Sequence, residues 1–325
     1  MASCRNLFSF ITFVKNSTSF KIIFMQQQST LRNYLQLHFI IFIWGFTAVL
    51  GLLVNVASPA MVLYRTFLTV LGILGIRWWQ NRNKPKKAST PIPKKLLLVG
   101  FLVGIHWLLF FGSARFSNAS VSLAGLATSS LWTSFLEPFF SKRKLSLLEI
   151  LMAILVIIGL YIIFRFQFDY ALGLTLAVAA GLAASLMNIF NARLGHDYEP
   201  LEMTFWEMTG AFVIVLITMP LFIYFSDEPM NIIPSAIDWF WIAVLAFGCT
   251  IYPFTVANRL LKQMSAFTVS LSLNLEPIYG ILLAFLTFGD AERMNTGFYI
   301  GGAIVMSTVL MYPVLKSKKS WGVLS

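Results

Sequence analysis

Three charged side chains, Arg65, Glu207 and Glu276, stand inside stretches apolar enough to enter a bilayer. An ionisable group at the centre of a spanning helix costs about 2.5–3.5 kcal/mol on insertion scales, so each is a candidate for function. Residues 271–290, LSLNLEPIYGILLAFLTFGD, set Glu276 directly before Pro277. Proline has no amide hydrogen to donate, so a helix is bent or loosened there, beside a carboxylate. Irregular backbone at that depth is tolerated where it is buried in protein or lines a cavity. Glu276 could then bind a cation, a substrate amine or a proton; the plainer alternative is a buried carboxyl hydrogen-bonded to Asn274 or Tyr279. The planar guanidinium of Arg65 suits a substrate carboxylate or phosphate, or else clamps helices together through carbonyls. Glu207, with Trp206, holds about the place in the second half of the chain that Arg65 holds in the first. Glu202, nearer the end of its stretch, reads as solvated.

A second set is aromatic and polar. His106-Trp107 and Trp44 could line a central cavity, and an imidazole, titrating near about pH 6.5, suits proton movement. A histidine bonded to a neighbouring carbonyl is the blander reading. Trp132, Asn188, Tyr252 and Asn274 join this set, although Asn and Ser in membrane helices often serve only as interhelical hydrogen bonds. Ala124, Gly125, Ala179, Ala180, Gly181, Gly301 and Gly302 are small enough to let helices approach closely. No HExxH, GxSxG or GxxxxGK[ST] occurs, and the histidines stand apart at 38, 106 and 196. The expectation is therefore no catalytic residues, no metal and no cofactor.

The elements that must position these groups follow from composition. Of 325 residues 58% are hydrophobic and 11% charged, with a mean hydropathy of +0.78. A soluble chain carries roughly 25% charged residues. The apolar residues also run in long blocks, so the chain reads as an all-α integral membrane protein. Ten stretches are candidate spans: 36–56, 58–77, 96–114, 119–140, 147–165, 170–190, 201–224, 237–257, 265–288 and 297–315. The net charge of +11 reports orientation rather than nucleic acid. With ten spans, 20 basic residues fall on the side of the termini and 3 (Arg115, Arg165, Arg293) on the other, Arg65 lying within a span. Both termini are thus expected in the cytoplasm of a multi-pass protein of the cytoplasmic membrane. The basic segment 81–93 becomes a solvated cytoplasmic linker.

The first 35 residues form a tail. Its run LFSFITFV is too short to span, and no clear cleavage site follows; it reads as an interfacial helix, a weak signal sequence, or translation from upstream of a natural start at Met25, the last being preferred. Cys4 and Cys249 belong at different depths and predict no bridge.

Internal symmetry connects residues 36–165 with 170–315. Ser58-Pro59 enters the second span as Glu199-Pro200 enters the seventh, and RFSNASVSLAGLATSS from Arg115 matches RLLKQMSAFTVSLSLNLEP from Arg259. Each half holds five spans, an odd number, so the copies are expected to be inverted in the membrane, as in many secondary transporters. Residues 316–325 form a second cytoplasmic tail.

With IFIWGFTAV (41–49), SPAMVLYRTFLTVLGIL (58–74), ARLGHDYEPLEMTFWEMTGAFV (192–213) and SAFTVSLSLNLEPIYGILLAFLTFGD (265–290), the chain resembles the EamA-type members of the drug/metabolite transporter (DMT) superfamily. The resemblance covers residues 36–315 and rests on the order of motifs. Ser130 stands where the second half has Pro277, and Lys142-Arg143 where it has Gly289-Asp290, so the family's Gly-Glu element is lost in one half and altered in the other. What the resemblance implies is ten helices in two inverted five-helix repeats and a secondary transporter of a small polar or amphipathic metabolite, an amino acid or relative, exported by alternating access. Its partners would be the solute, membrane lipid and a coupling proton, not nucleic acid; homo-oligomerisation stays open. An integral membrane enzyme on lipid-linked substrate and a non-transporting sensor or scaffold are the competing readings.

Overall fold

The computed structural model describes residues 31–82, 92–141, 147–166, 168–226, 229–263, 269, 272–273 and 275–321. Met25 and the tail before it, Cys4, Lys142-Arg143, Asn274 and residues 83–91 of the 81–93 linker lie outside the described residues. The described elements are all helical. They are α1 (Leu31–Leu53), α2 (Ser58–Asn81), α3 (Lys94–Phe116), α4 (Ala119–Leu126), α5 (Ser129–Ser141) and α6 (Leu147–Phe166). There follow α7 (Ala171–Leu194), α8 (Pro200–Tyr224), α9 (Ala236–Leu260), α10 (Glu276–Phe288) and α11 (Thr296–Trp321). Six of them, α1, α2, α3, α7, α8 and α9, are long and apolar enough to cross a bilayer. The protein is a multi-pass membrane protein. Its large apolar side chains point outward as well as inward: Leu71, Trp78, Ile157, Ile217 and Leu286 are all exposed. That pattern suits a lipid solvent.

Two expected spans differ from a single helix. The stretch 119–140 breaks into α4 and α5 at a turn over Ala127 and Thr128, where Thr128 N–H and its hydroxyl both donate to Gly125 O, at 3.1 and 2.7 Å. The stretch 265–288 has its helix α10 begin only at Glu276, with Pro277 in the first turn. A first-turn amide has no helical acceptor, so proline is tolerated there. Ser272 and Leu273 are already helical and Leu275 is a turn, so the helix is interrupted just before Glu276 and restarts there.

Helix ends are capped by side chains from elsewhere in the chain. At α4, Asn118 Oδ1 accepts from Val121 N–H at 2.9 Å, and the Glu292 carboxylate accepts from Ala119 and Ser120 N–H at 3.0 and 2.9 Å. An anion at these unpaired amides also meets the positive end of the helix dipole. Arg115 does the reverse, donating to the carbonyls of Gly51, Val54 and Val56 as α1 ends. Ser235 and Asp238 form a reciprocal box at the start of α9. Asp238 also accepts from Asn55 N–H at 2.7 Å, tying the α1–α2 turn to α9.

Helix α3 is the pivot of the packing, lying against both α7 and α8, while α2 lies on α8 and α9. Its approach to α8 is closed by glycines. A Cβ on Gly100 would stand 2.2 Å from Glu207 O, and one on Gly210 2.3 Å from Leu97 O. Gly125 and Gly301 sit in similar seams, against Ala177 and Gly159, whereas a Cβ on Gly302 would meet nothing within 4 Å. Gly302 is therefore not a packing glycine.

Candidate functional site

Helix α9 is not α-helical throughout. Val244–Ile251 winds as a π-helix, whose wider turns misalign carbonyls from their usual donors. Side chains from other helices reach them: Trp44 Nε1–H donates to Cys249 O at 3.2 Å, and Thr69 Oγ1, whose hydrogen goes to Arg65 O at 2.8 Å, lies 3.4 Å from Ala246 O. Thr250 Oγ1–H donates to Leu245 O, five residues back, at 2.7 Å. Its lone pair is thereby aimed at α2, where Arg65 Nε–H donates to it at 2.9 Å.

Arg65 is 1% exposed. Its guanidinium lies 3.9 Å over the Trp107 ring and 5.6 Å from that of Phe111. Aromatic faces carry negative charge, and a desolvated cation–π pair contributes about 2 kcal/mol. Among the described residues no carboxylate bridges Arg65, and its Nη1 has no acceptor. A buried cation is thus held by rings and one hydroxyl, with donor capacity unused.

Arg65 is also part of the wall of a cavity of about 100 Å³. Its wall includes Trp44, Arg65, His106, Trp107, Asn188 and Glu276 from the sequence candidates. Drug-sized ligands need roughly 300–1,000 Å³, so this one suits a solute of few heavy atoms. Both helix breaks reach the wall, through Leu126, Ala127 and Ser129 on one side and Leu273 and Glu276 on the other. Irregular backbone in the membrane is here lining a hollow, which is the condition that tolerates it. Glu276 is half-buried and has no hydrogen-bond partner among the described residues. His106 Nδ1 is 2.9 Å from Ala180 O, so the nitrogen carrying the proton on that side donates to the carbonyl.

The remaining candidates lie off the wall. Trp206 packs edge-on against Phe205, Tyr252 against Phe39 and Tyr279 against Phe42. Tyr252 is 43% exposed, on the outer face of α9. Trp132 has a buried Nε1 with no partner among the described residues. Glu207 is fully buried behind the wall, reached through Asn258, whose Nδ2–H donates to Glu207 Oε2 at 3.3 Å. Asn258 and Asn191 do line the cavity and were not among the candidates. Their signal was spacing: Asn191 stands one turn from Asn188, and Asn258 one turn from Thr255, each pair on one helix face.

The comparisons bear on this arrangement as a whole. No curated protein matches the chain. A solved crystal structure of a protein 17% identical superposes with a TM-score of 0.59, covering 87% of this chain and 98% of that one. At that identity the likeness concerns the fold alone. The model of the EamA-like transporter family matches twice, over residues 32–165 and 171–312. A double match across both halves, on helices of membrane length, leaves one conclusion: the chain belongs to the EamA-like transporter family.

Proposed function

We propose that the protein is a secondary transporter of a small zwitterionic or amphipathic metabolite, an amino acid or close relative, exported across the cytoplasmic membrane. Two five-helix halves, inverted relative to each other and with both termini cytoplasmic, expose the cavity alternately. A solute or proton gradient drives it, because the sequence has no nucleotide-binding motif. The observation that carries the reading is a pair of opposite charges on one small cavity, neither of them ion-paired among the described residues. Arg65 keeps a free N–H for a carboxylate, and Glu276 keeps a carboxylate for an ammonium. The rings of Trp44 and Trp107 between polar groups accept an apolar side chain. A polyanion would not suit a wall with one cation and an acid.

The test is a thermal-shift screen of metabolites on the purified protein, followed by counterflow of the best hit in liposomes. Arg65→Ala and Glu276→Gln are expected to abolish the shift and the exchange. Unchanged binding and exchange in both variants would reject the site, and turnover of solute without exchange would reject the transporter reading.

A further inference from the structure

Behind the cavity wall lies a second polar site that the solute cavity does not use. Glu207 is fully buried, and α3 packs directly on its backbone at Gly100. One carboxylate oxygen, Oε2, accepts from Asn258 Nδ2–H at 3.3 Å; the other, Oε1, has no donor. Asn191, on the cavity wall, also hydrogen-bonds this carboxyl through its side chain, and its own Oδ1 is buried without a donor. Oε1 is a buried acceptor lacking a hydrogen, which a proton on the carboxyl supplies.

No cation performs that service. On the helices packed against Glu207, Arg65 is engaged by Trp107 and Thr250, Arg77 lies over the Phe205 ring, and Arg115 donates to the end of α1. His106 donates to Ala180 O, and Arg259 donates to Gln36. Lys94, Lys95 and Arg193 are exposed, and Tyr252 faces outward. Glu202, on the same helix, is half-buried one turn and more away. Among the described residues none of these bridges Glu207. An isolated carboxylate buried without a partner is costly, and protonation removes the charge.

We infer that Glu207 is the proton-carrying group of the transport cycle, its carboxyl held between the side chains of Asn258 and Asn191. One proton from water adds to Oε1 as the carboxylate becomes the acid, and the same proton returns to water on release; no other bond changes. Asn191 and Asn258 belong both to this site and to the cavity wall, so a solute that reorients either amide alters the hold on the proton. The purpose assigned to the site rests on the transporter reading; its existence does not.

Infrared difference spectra of the full chain in liposomes, taken across a pH titration, test the site directly. A protonated-carboxyl C=O band is expected in the unaltered protein and in Glu276→Gln, lost in Glu207→Gln, and shifted in Asn191→Leu. A band untouched by Glu207→Gln, or no band at all, overturns the assignment. Should Glu207→Gln not fold, an unshifted band in Asn191→Leu overturns it alone. Coupling is read separately, with a mixture of radiolabelled amino acids as the probe. Glu207→Gln is expected to keep counterflow and to lose accumulation driven by a pH gradient; unchanged accumulation overturns the coupling role. Loss of the band in Glu207→Gln without counterflow by any protein would leave the proton site standing and remove the transporter reading.

Discussion

Arg65 is the eighth residue of α2 counted from Ser58, and Glu207 the eighth of α8 counted from Pro200. Both helices open with proline in the first turn, and both charges are buried. Their surroundings are opposite in kind. The guanidinium is stabilised by the faces of Trp107 and Phe111 and one hydroxyl, so it can stand at a cavity without a counter-ion. A carboxylate gains nothing from a ring face and needs donors. Glu207 has only the amides of Asn258 and Asn191, and lies behind the wall. Equal depth along a helix therefore does not mean equal role: the cation is presented, the acid is stored.

The comparison breaks first at Trp107. Trp107→Ala removes the ring under Arg65 and leaves a hole, and is expected to destabilise the protein by about 3–5 kcal/mol, measured as the thermal unfolding of purified protein. Glu207→Leu, judged the same way, should change stability by no more than about 1 kcal/mol, because it removes an acceptor already short of donors. A large loss there would mean the acid is a structural clamp after all. Next, Arg65→Ala should weaken binding of carboxylate solutes by roughly tenfold to a hundredfold, the worth of one hydrogen bond to a charged group. Arg65→Lys should not restore it, since an ammonium lacks the planar fork. Thr250→Val, which takes the acceptor from Arg65 Nε–H, is expected to cost about 1.5–3 kcal/mol in the same unfolding measurement. The effect at the acid's own partner is of the same order as at the acid: Asn258→Leu should cost about 0.5–1.5 kcal/mol.

Much of this was written locally in the sequence. Apolar length marks α1, α2, α3, α7, α8 and α9, and charge in an apolar run marks Arg65, Glu207 and Glu276. The breaks were less legible. Ala127 and Thr128 are not helix breakers, and the turn between α4 and α5 is held by hydrogen bonds to Gly125 and by the close approach of Gly181 to Thr128 Oγ1. The π-helix in α9 has no compositional mark; the Trp44, Thr69 and Arg65 side chains that engage it come from elsewhere in the chain. Pro277 did mark the interruption beside Glu276, but not that the chain restarts as a helix with the proline in its first turn. Which face of α9 meets the cavity separates Asn258 from Tyr252, and that is set by packing on α1 and α8, beyond the reach of local pattern. The helix packed on the Glu207 backbone meets it at Gly100, more than a hundred residues earlier in the chain.

The Gly100–Gly210 contact has a mechanical consequence. Ordinary helix pairs meet through side chains that can swap rotamers, and so one rod can slip past the other. Here bare backbone meets bare backbone, with no intervening atoms to rearrange. Helices α3 and α8 are thereby welded into one stiff spar, carrying Trp107 along one edge and Glu207 along the other.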